Sequence, residues 1–359
     1  MSKKKSKLKL AQEESEATIK QTNKKINELG VHTAALYESL GTIQDLFDII
    51  RNVPSEKRLQ YEELKKVRLH WKQQAEKIES DYKNAVAKNV GQGAAGVGVG
   101  VAVVALGPTA AMGIATTFGV ASTGTAISAL SGAAATNAAL AWLGGGALAA
   151  GGGGMVAGKA LLALAGPIGW AIAGVALLSS GLMFWKAKKE KDRLEDIFTL
   201  IAKRDTKSYS LAIVELDERI GRIIDESAKL QEAIEQIKTF GTDYNQMTEE
   251  QQYALGSYLN FMAASTQLLI NPILGLQAKF SEEDFERFIK EKNYEIKHRE
   301  TVIFMANLLY KIALDDKDKK LLWKTFKKNK KMLESLELSK KEFDFSIIEK
   351  ATEALDFIG

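Results

Sequence analysis

The distribution of charge constrains this chain more than any other feature. Between Lys88 and Lys186 the single charged residue is Lys159, and there is no Asp or Glu at all. Outside that stretch the chain is dense in Lys and Glu, so an average of 46 % apolar and 26 % charged residues conceals two different kinds of sequence. Glycine is segregated in the same way, with 22 of the 29 glycines inside residues 89–185. Such separation is expected of a chain built for two solvents. It divides the sequence into an N-terminal helical arm (1–88), a glycine- and alanine-rich apolar segment (89–185), a second arm (186–241) and a C-terminal helical region (242–359).

One crossing of a bilayer needs roughly 20 apolar residues, so 89–185 is long enough for several. The best candidates are about 93–121, with Val97 to Ala105 and Ile114 to Val120, and about 155–185, ending at Trp185. Ser122 to Gly154 between them is richer in Ser, Thr, Asn and Gly, and reads equally as a turn, a weak third crossing or an interfacial segment. Lys83 and Lys88 precede the segment, while Lys186, Lys188, Lys189 and Lys191 follow it. Positive charge on both flanks favours an even number of crossings with both ends on the cytosolic side, and Trp185 would lie at the interface. The expectation is a membrane hairpin.

Small residues recur at four-residue spacing: Gly96 and Gly100, Gly154 and Gly158, then Ala165, Gly169 and Ala173. That spacing puts them on one helix face, where backbones can approach closely in lipid. Lys159 would cost about 2.5–3.5 kcal/mol at the bilayer centre, so it is expected to snorkel or to face a pore. Each interior glycine costs a helix about 1 kcal/mol relative to alanine. A segment so rich in glycine suits conditional insertion from a soluble form; permanent insertion, or a buried hairpin core of a soluble protein, are the other readings.

The flanks carry helical patterns. Ile19, Ile26, Leu29, Leu36, Leu40, Ile43, Phe47 and Ile50 follow heptad steps, predicting a helix over 11–52. Val53-Pro54-Ser55 breaks it, because proline lacks an amide hydrogen and disfavours helix in the residue before it. A second helix, about 56–88, has a seam including Leu64, Val67, Trp71 and Ile78. After the apolar segment, Leu216, Ile220, Ile223, Ser227, Leu230, Ile234 and Ile237 alternate steps of four and three up to a stop at Phe240-Gly241. The fold expected is all-α: an elongated antiparallel bundle or coiled coil whose two arms flank the hairpin. Further on, Thr248 to Gln251 has the pattern of a capping box, before a helix ending near Asn271-Pro272. Ser281 to Asp284 starts another, expected to run through Phe285, Phe288, Ile289, Ile296 and Leu308 to about Leu314. A lysine-rich stretch, 317–331, leads to a last helix over about 339–357; it reads as a solvated face or as a contact for anionic lipid.

No catalytic, cofactor or metal site is legible. Without cysteine there is no disulfide, thiolate site or cysteine nucleophile. His32, His70 and His298 are scattered, and Glu249, Glu250 and Glu282 to Asp284 read as helix N-terminal charges. Gly153-x4-Gly158-Lys159-Ala160 approaches a phosphate-binding loop but lacks the hydroxyl that should reach magnesium. Gly91-x-Gly93-x-x-Gly96 follows a helical arm rather than a strand and has no acidic partner for a ribose. With 49 basic and 45 acidic side chains, no nucleic-acid partner is expected, nor a small-molecule substrate. The basic start lacks the apolar core of a secretory signal, so the soluble form is expected in the cytoplasm, becoming membrane-associated on insertion.

In layout, helical tails interrupted by one apolar segment, the chain resembles the α-helical pore-forming toxins of the cytolysin A and haemolysin BL type. The segment itself is similar to apolipoprotein L-like and glycine-zipper membrane proteins. The resemblance implies a membrane-inserting, pore-forming or membrane-perturbing protein that forms a homo-oligomer or works with a second protein component. The alternative is a resident bacterial inner-membrane scaffold or defence effector whose arms recruit partners.

Overall fold

A computed structural model describes residues 6–69 and 188–359, apart from 272, 277, 278, 281, 329–332, 334, 335 and 337. The described residues are mostly helical and contain no strand. The helices are α1 (Lys7–Asp48), α2 (residues 55–69), α3 (Lys188–Ile237), α4 (Glu249–Ile270), α5 (Glu282–Lys292), α6 (Arg299–Leu309), α7 (Asp316–Lys327) and α8 (Ser346–Ile358). Short 3-10 turns occupy Tyr244–Gln246 and Leu274–Leu276.

The frame is the pair of long helices, α1 with 42 residues and α3 with 50. At 1.5 Å per residue α3 is about 75 Å long. The two lie side by side and run parallel. Ser15 bonds to Thr206, Ser39 to Gln231 and Asn52 to Asp243, and the sequence separation stays at 191, 192 and 191. Beyond the helices the backbones join: Arg51 N donates to Thr242 O at 2.9 Å, and Tyr244 N donates to Arg51 O at 3.0 Å. The antiparallel packing expected of the arms is therefore not made by α1 against α3; it falls to α2, the part of the first arm that leads toward the apolar segment. The reason lies in α2. After the break at Pro54 it folds back along α1, with the Tyr61 hydroxyl bonding Gln44 O and Asp48, and Arg68 Nε bonding the Gln44 side chain. The reversal is therefore made before the apolar segment, and α3 starts again beside the start of α1.

α4 folds back along α3 in the same manner. Ser265 bonds to Glu226 at 3.0 Å, and Arg219 donates to the carbonyls of Leu268 and Asn271. Gln60 donates to Asn260 at 3.3 Å, so α2 and α4 also touch. Two helices run up and two run down, and the seam residues close the core between them. Leu29, Leu36, Leu40, Ile43 and Ile50 of α1 and its end pack with Leu216, Ile220, Ile223, Leu230, Ile234 and Ile237 of α3, and with Leu255, Leu259, Met262, Leu268 and Leu269 of α4. Burying such a side chain stabilises the fold by about 1.5–3 kcal/mol. The side chains of Ile19 and Ile26 lie outside those described, as do residues 70–88 of the expected second helix.

A second core closes the lower end. It gathers Leu8 and Ala11 of α1, Leu194, Ile197, Phe198, Ile201 and Ala202 of α3, and apolar residues from α5 to α8. The continuous helix expected from Phe285 to Leu314 is divided. α5 ends at Lys292, and Asn293 takes a left-handed φ of 51°, which asparagine tolerates as a helix stop. The last helix starts at Ser346 rather than 339, because Ser339 and Glu342 bond reciprocally in a turn and Asp344 accepts from Ser346 N. The lysine-rich stretch from 317 is helical to Lys327, with Leu321, Leu322, Thr325 and Phe326 buried on its inner face.

Candidate functional site

Of the residues singled out in the sequence, Lys83, Lys88, Gly96, Gly100, Gly154, Gly158, Lys159, Ala165, Gly169, Ala173, Trp185 and Lys186 lie outside the described residues. Lys188 and Lys189 open α3 at the lower end of the bundle. The chain therefore comes out of the apolar segment into the foot of the bundle, beside the helices of the C-terminal region. Two polar groupings stand there.

The first is a basic cleft. α7 is docked onto α3 by Arg193, whose Nε reaches Asp318 Oδ1 at 2.7 Å and whose Nη2 reaches Asp315 Oδ2 at 2.5 Å. These are the carboxylates that cap α7: Asp315 Oδ1 accepts from Asp318 N, and the Asp318 side chain accepts from Asp315 N. The Arg193 bond and the backbone amides hold the Asp315 carboxyl down at about 2. A planar guanidinium suits this forked contact, with one nitrogen for each carboxylate. Docking leaves a cleft of about 350 Å³ lined by Lys189, Glu190, Arg193, Lys317, Lys320, Leu321 and Lys324. Lys317, Lys320 and Lys324 follow helical spacing along one exposed stripe of α7, and Lys189 faces them from α3. Arg193 is neutralised by its two aspartates, and Glu190 is the lone carboxylate on the lining. The four lysines form no ion pair among the described residues.

The second grouping is a polar layer between the two cores. Along α1, from Ala11 to Leu29, the buried residues whose side chains are described are Ser15 and Thr22; along α3, from Ala202 to Tyr209, they are Asp205 and Thr206. Ser15 Oγ and Thr206 Oγ1 are 2.6 Å apart and Ala202 O lies within reach of both; with one proton each, one hydroxyl donates to the other, which in turn donates to Ala202 O. Arg204 Nε donates to Asp205 Oδ1 at 2.9 Å, while its Nη1 donates to the carbonyls of Leu308 and Tyr310 at the end of α6. Asp205 is 7 % exposed and Tyr209 4 %, and among the described residues neither Asp205 Oδ2 nor the Tyr209 hydroxyl has a hydrogen-bond partner. Burial pushes the Asp205 carboxyl up to about 6, against the opposing pull of Arg204 and Lys279. It also raises Tyr209 well above the ordinary tyrosine value and lowers Lys279.

The sequence offered the two lysine groups separately but not the cleft that joins them, and the polar layer was missed. Asp205 is detectable in principle, since it falls four residues after Ile201 and so occupies a seam position where a charge is out of place. The pairing of Arg193 with Asp315 and Asp318 joins residues 122 and 125 positions apart, and no local pattern announces it. Among the described residues no group of His, Cys, Asp and Glu could hold a metal, and no helix is long and apolar enough to cross a membrane.

No family model, curated protein or solved structure matches the chain.

Proposed function

We propose that this protein acts at a lipid bilayer: residues 89–185 enter it as a glycine-rich apolar hairpin, oligomerise and perturb it, while the helical bundle remains outside. The observation that carries this reading is a run of 97 residues with Lys159 as its lone charge, framed by lysines on both sides. The arrangement of the bundle is compatible with it. α3 begins at the foot of the bundle, so the chain returns from the segment at one defined end. The helices α1 and α3 each bury one apolar face and expose many charged residues, as expected of a water-facing support, although Leu200, Leu211 and Val214 stand exposed on α3.

Fractionation of expressed full-length protein, followed by dye release from liposomes, tests the proposal. Soluble protein that later releases dye supports triggered insertion. Protein confined to membranes that releases no dye favours the second reading, a resident scaffold whose arms recruit partners; exposed Leu200, Leu211 and Val214 along α3 suit such recruitment. Soluble protein that leaves liposomes intact at every concentration and pH tested would falsify both.

A further inference from the structure

We infer that the lysines of α7 and of the first turn of α3 form one docking surface for a membrane bearing anionic phospholipid headgroups, an inference that rests on the membrane reading above. The sequence offers two separate basic groups, one just after the apolar segment and one beginning at Lys317. The fold joins them. Arg193 holds α7 against α3, and Lys317, Lys320 and Lys324 then stand across one cleft from Lys189.

Three observations point to a lipid surface. The cleft lies where the chain emerges from the apolar segment, and clusters of lysine beside a membrane segment are drawn to anionic leaflets. All four lysines are exposed and unpaired among the described residues, so their charge is not spent inside the fold. The exposed groups are lysines rather than arginines: flexible point charges that suit a fluid array of headgroups better than one rigidly oriented phosphate. Arg193, the one guanidinium on the lining, is occupied with Asp315 and Asp318 and serves to position α7.

The test compares the full chain with a variant carrying Lys189→Gln, Lys317→Gln, Lys320→Gln and Lys324→Gln. A matched control carries Arg58→Gln, Lys66→Gln, Lys229→Gln and Lys238→Gln on the upper half of the bundle. Circular dichroism establishes that all three are equally helical. Each is titrated with phosphatidylcholine vesicles, with and without phosphatidylserine, over a range of salt. The unaltered chain and the control are expected to prefer the anionic vesicles, and to lose that preference as salt rises. The cleft variant is expected to lose up to about fivefold in affinity for anionic vesicles per lysine removed, with binding to neutral vesicles unchanged. Equal anionic preference in the cleft variant and the control would overturn the inference. So would a full chain that binds both vesicle types equally, although the membrane reading would then stand. A full chain that binds neither type overturns both. Binding of a nucleic-acid duplex that the cleft substitutions abolish, without any vesicle preference, would assign the lysines to a polynucleotide instead.

Discussion

The upper and lower ends of the bundle bury apolar surface in different ways. The upper core is a continuation of heptad seams, largely Leu, Ile and Ala from long helices that need only stay in register. The lower core is built on Phe198 of α3 with Phe280, Phe285, Phe288, Phe304, Phe326 and Phe343, brought together from the short helices and their connections around the feet of α1 and α3. Between them the seam turns polar at Ser15, Thr22, Asp205 and Thr206. The contrast teaches that the bundle has a rod-like end and a capped end, and that the capped end is the one at which α3 begins after the apolar segment. Polar groups in a seam cost stability and fix register, so the layer sets where the rod stops and the cap begins.

Removing a ring from the cap should have the largest effect. Phe326→Ala, which deletes the edge contact with Phe198 at 6.3 Å between ring centroids, is expected to cost about 3–5 kcal/mol. Hydrogen exchange should then rise in α5 to α8 while residues 216–237 stay protected. Equal loss at both ends would show that the two cores unfold as one.

Glycine sharpens the comparison next. A Cβ on Gly275 would lie 2.6 Å from the Ala212 backbone nitrogen, whereas one on Gly221 of the same long helix meets nothing within 4 Å. Thermal unfolding should show Gly275→Ala destabilising by about 1–3 kcal/mol and Gly221→Ala stabilising by up to about 1 kcal/mol.

At the polar layer, Asp205→Asn should raise stability at pH 7 by about 1–2 kcal/mol. The change removes the ion pair with Arg204, but Arg204 Nη1 keeps its two carbonyl partners on α6 and its Nε can still donate to the amide oxygen. The folded-state carboxyl is raised from 3.8 to about 6, so the folded protein holds this proton more tightly than the unfolded chain. Its contribution to stability therefore falls as pH rises from about 4 to about 6, and is restored on acidification. The unaltered protein should melt higher at pH 5 than at pH 7, and the variant should lose this difference. An unchanged pH profile would remove Asp205 from the account. Asp315 runs the other way: held down at about 2, it loses its stabilising effect only as pH falls below about 4. Mild acid therefore tightens the joint between the cores without releasing α7.

The smallest effect belongs to the hydroxyl pair. Thr206→Val should cost about 1 kcal/mol in denaturant unfolding. Combining it with Ser15→Ala should cost less than the sum of the separate changes, since both partners then become apolar.

Local features of the fold were legible in the sequence. The seam from Leu216 to Ile237 is buried as its spacing requires, apart from half-buried Ser227. Thr248 and Gln251 form the capping box, and Gly241 takes the left-handed φ that follows the end of α3. The direction of α1 against α3 was not legible, because a heptad seam serves parallel and antiparallel neighbours alike and the deciding reversal is made by α2. Nor was the division at Asn293, where apolar residues keep helical spacing across a turn. Of the candidate site, Lys188 and Lys189 were read from the sequence, but the lysines of α7 join them only through an arginine clamp between distant residues.

The central claim is that residues 89–185 carry the protein to the bilayer while the bundle folds without them. The most direct measurement is flotation with neutral phosphatidylcholine vesicles of the full chain and of a variant lacking residues 91–184. The account predicts that the full chain floats, and that the deletion variant stays behind while keeping helical circular dichroism and cooperative unfolding. A deletion variant that floats as the full chain does would contradict it.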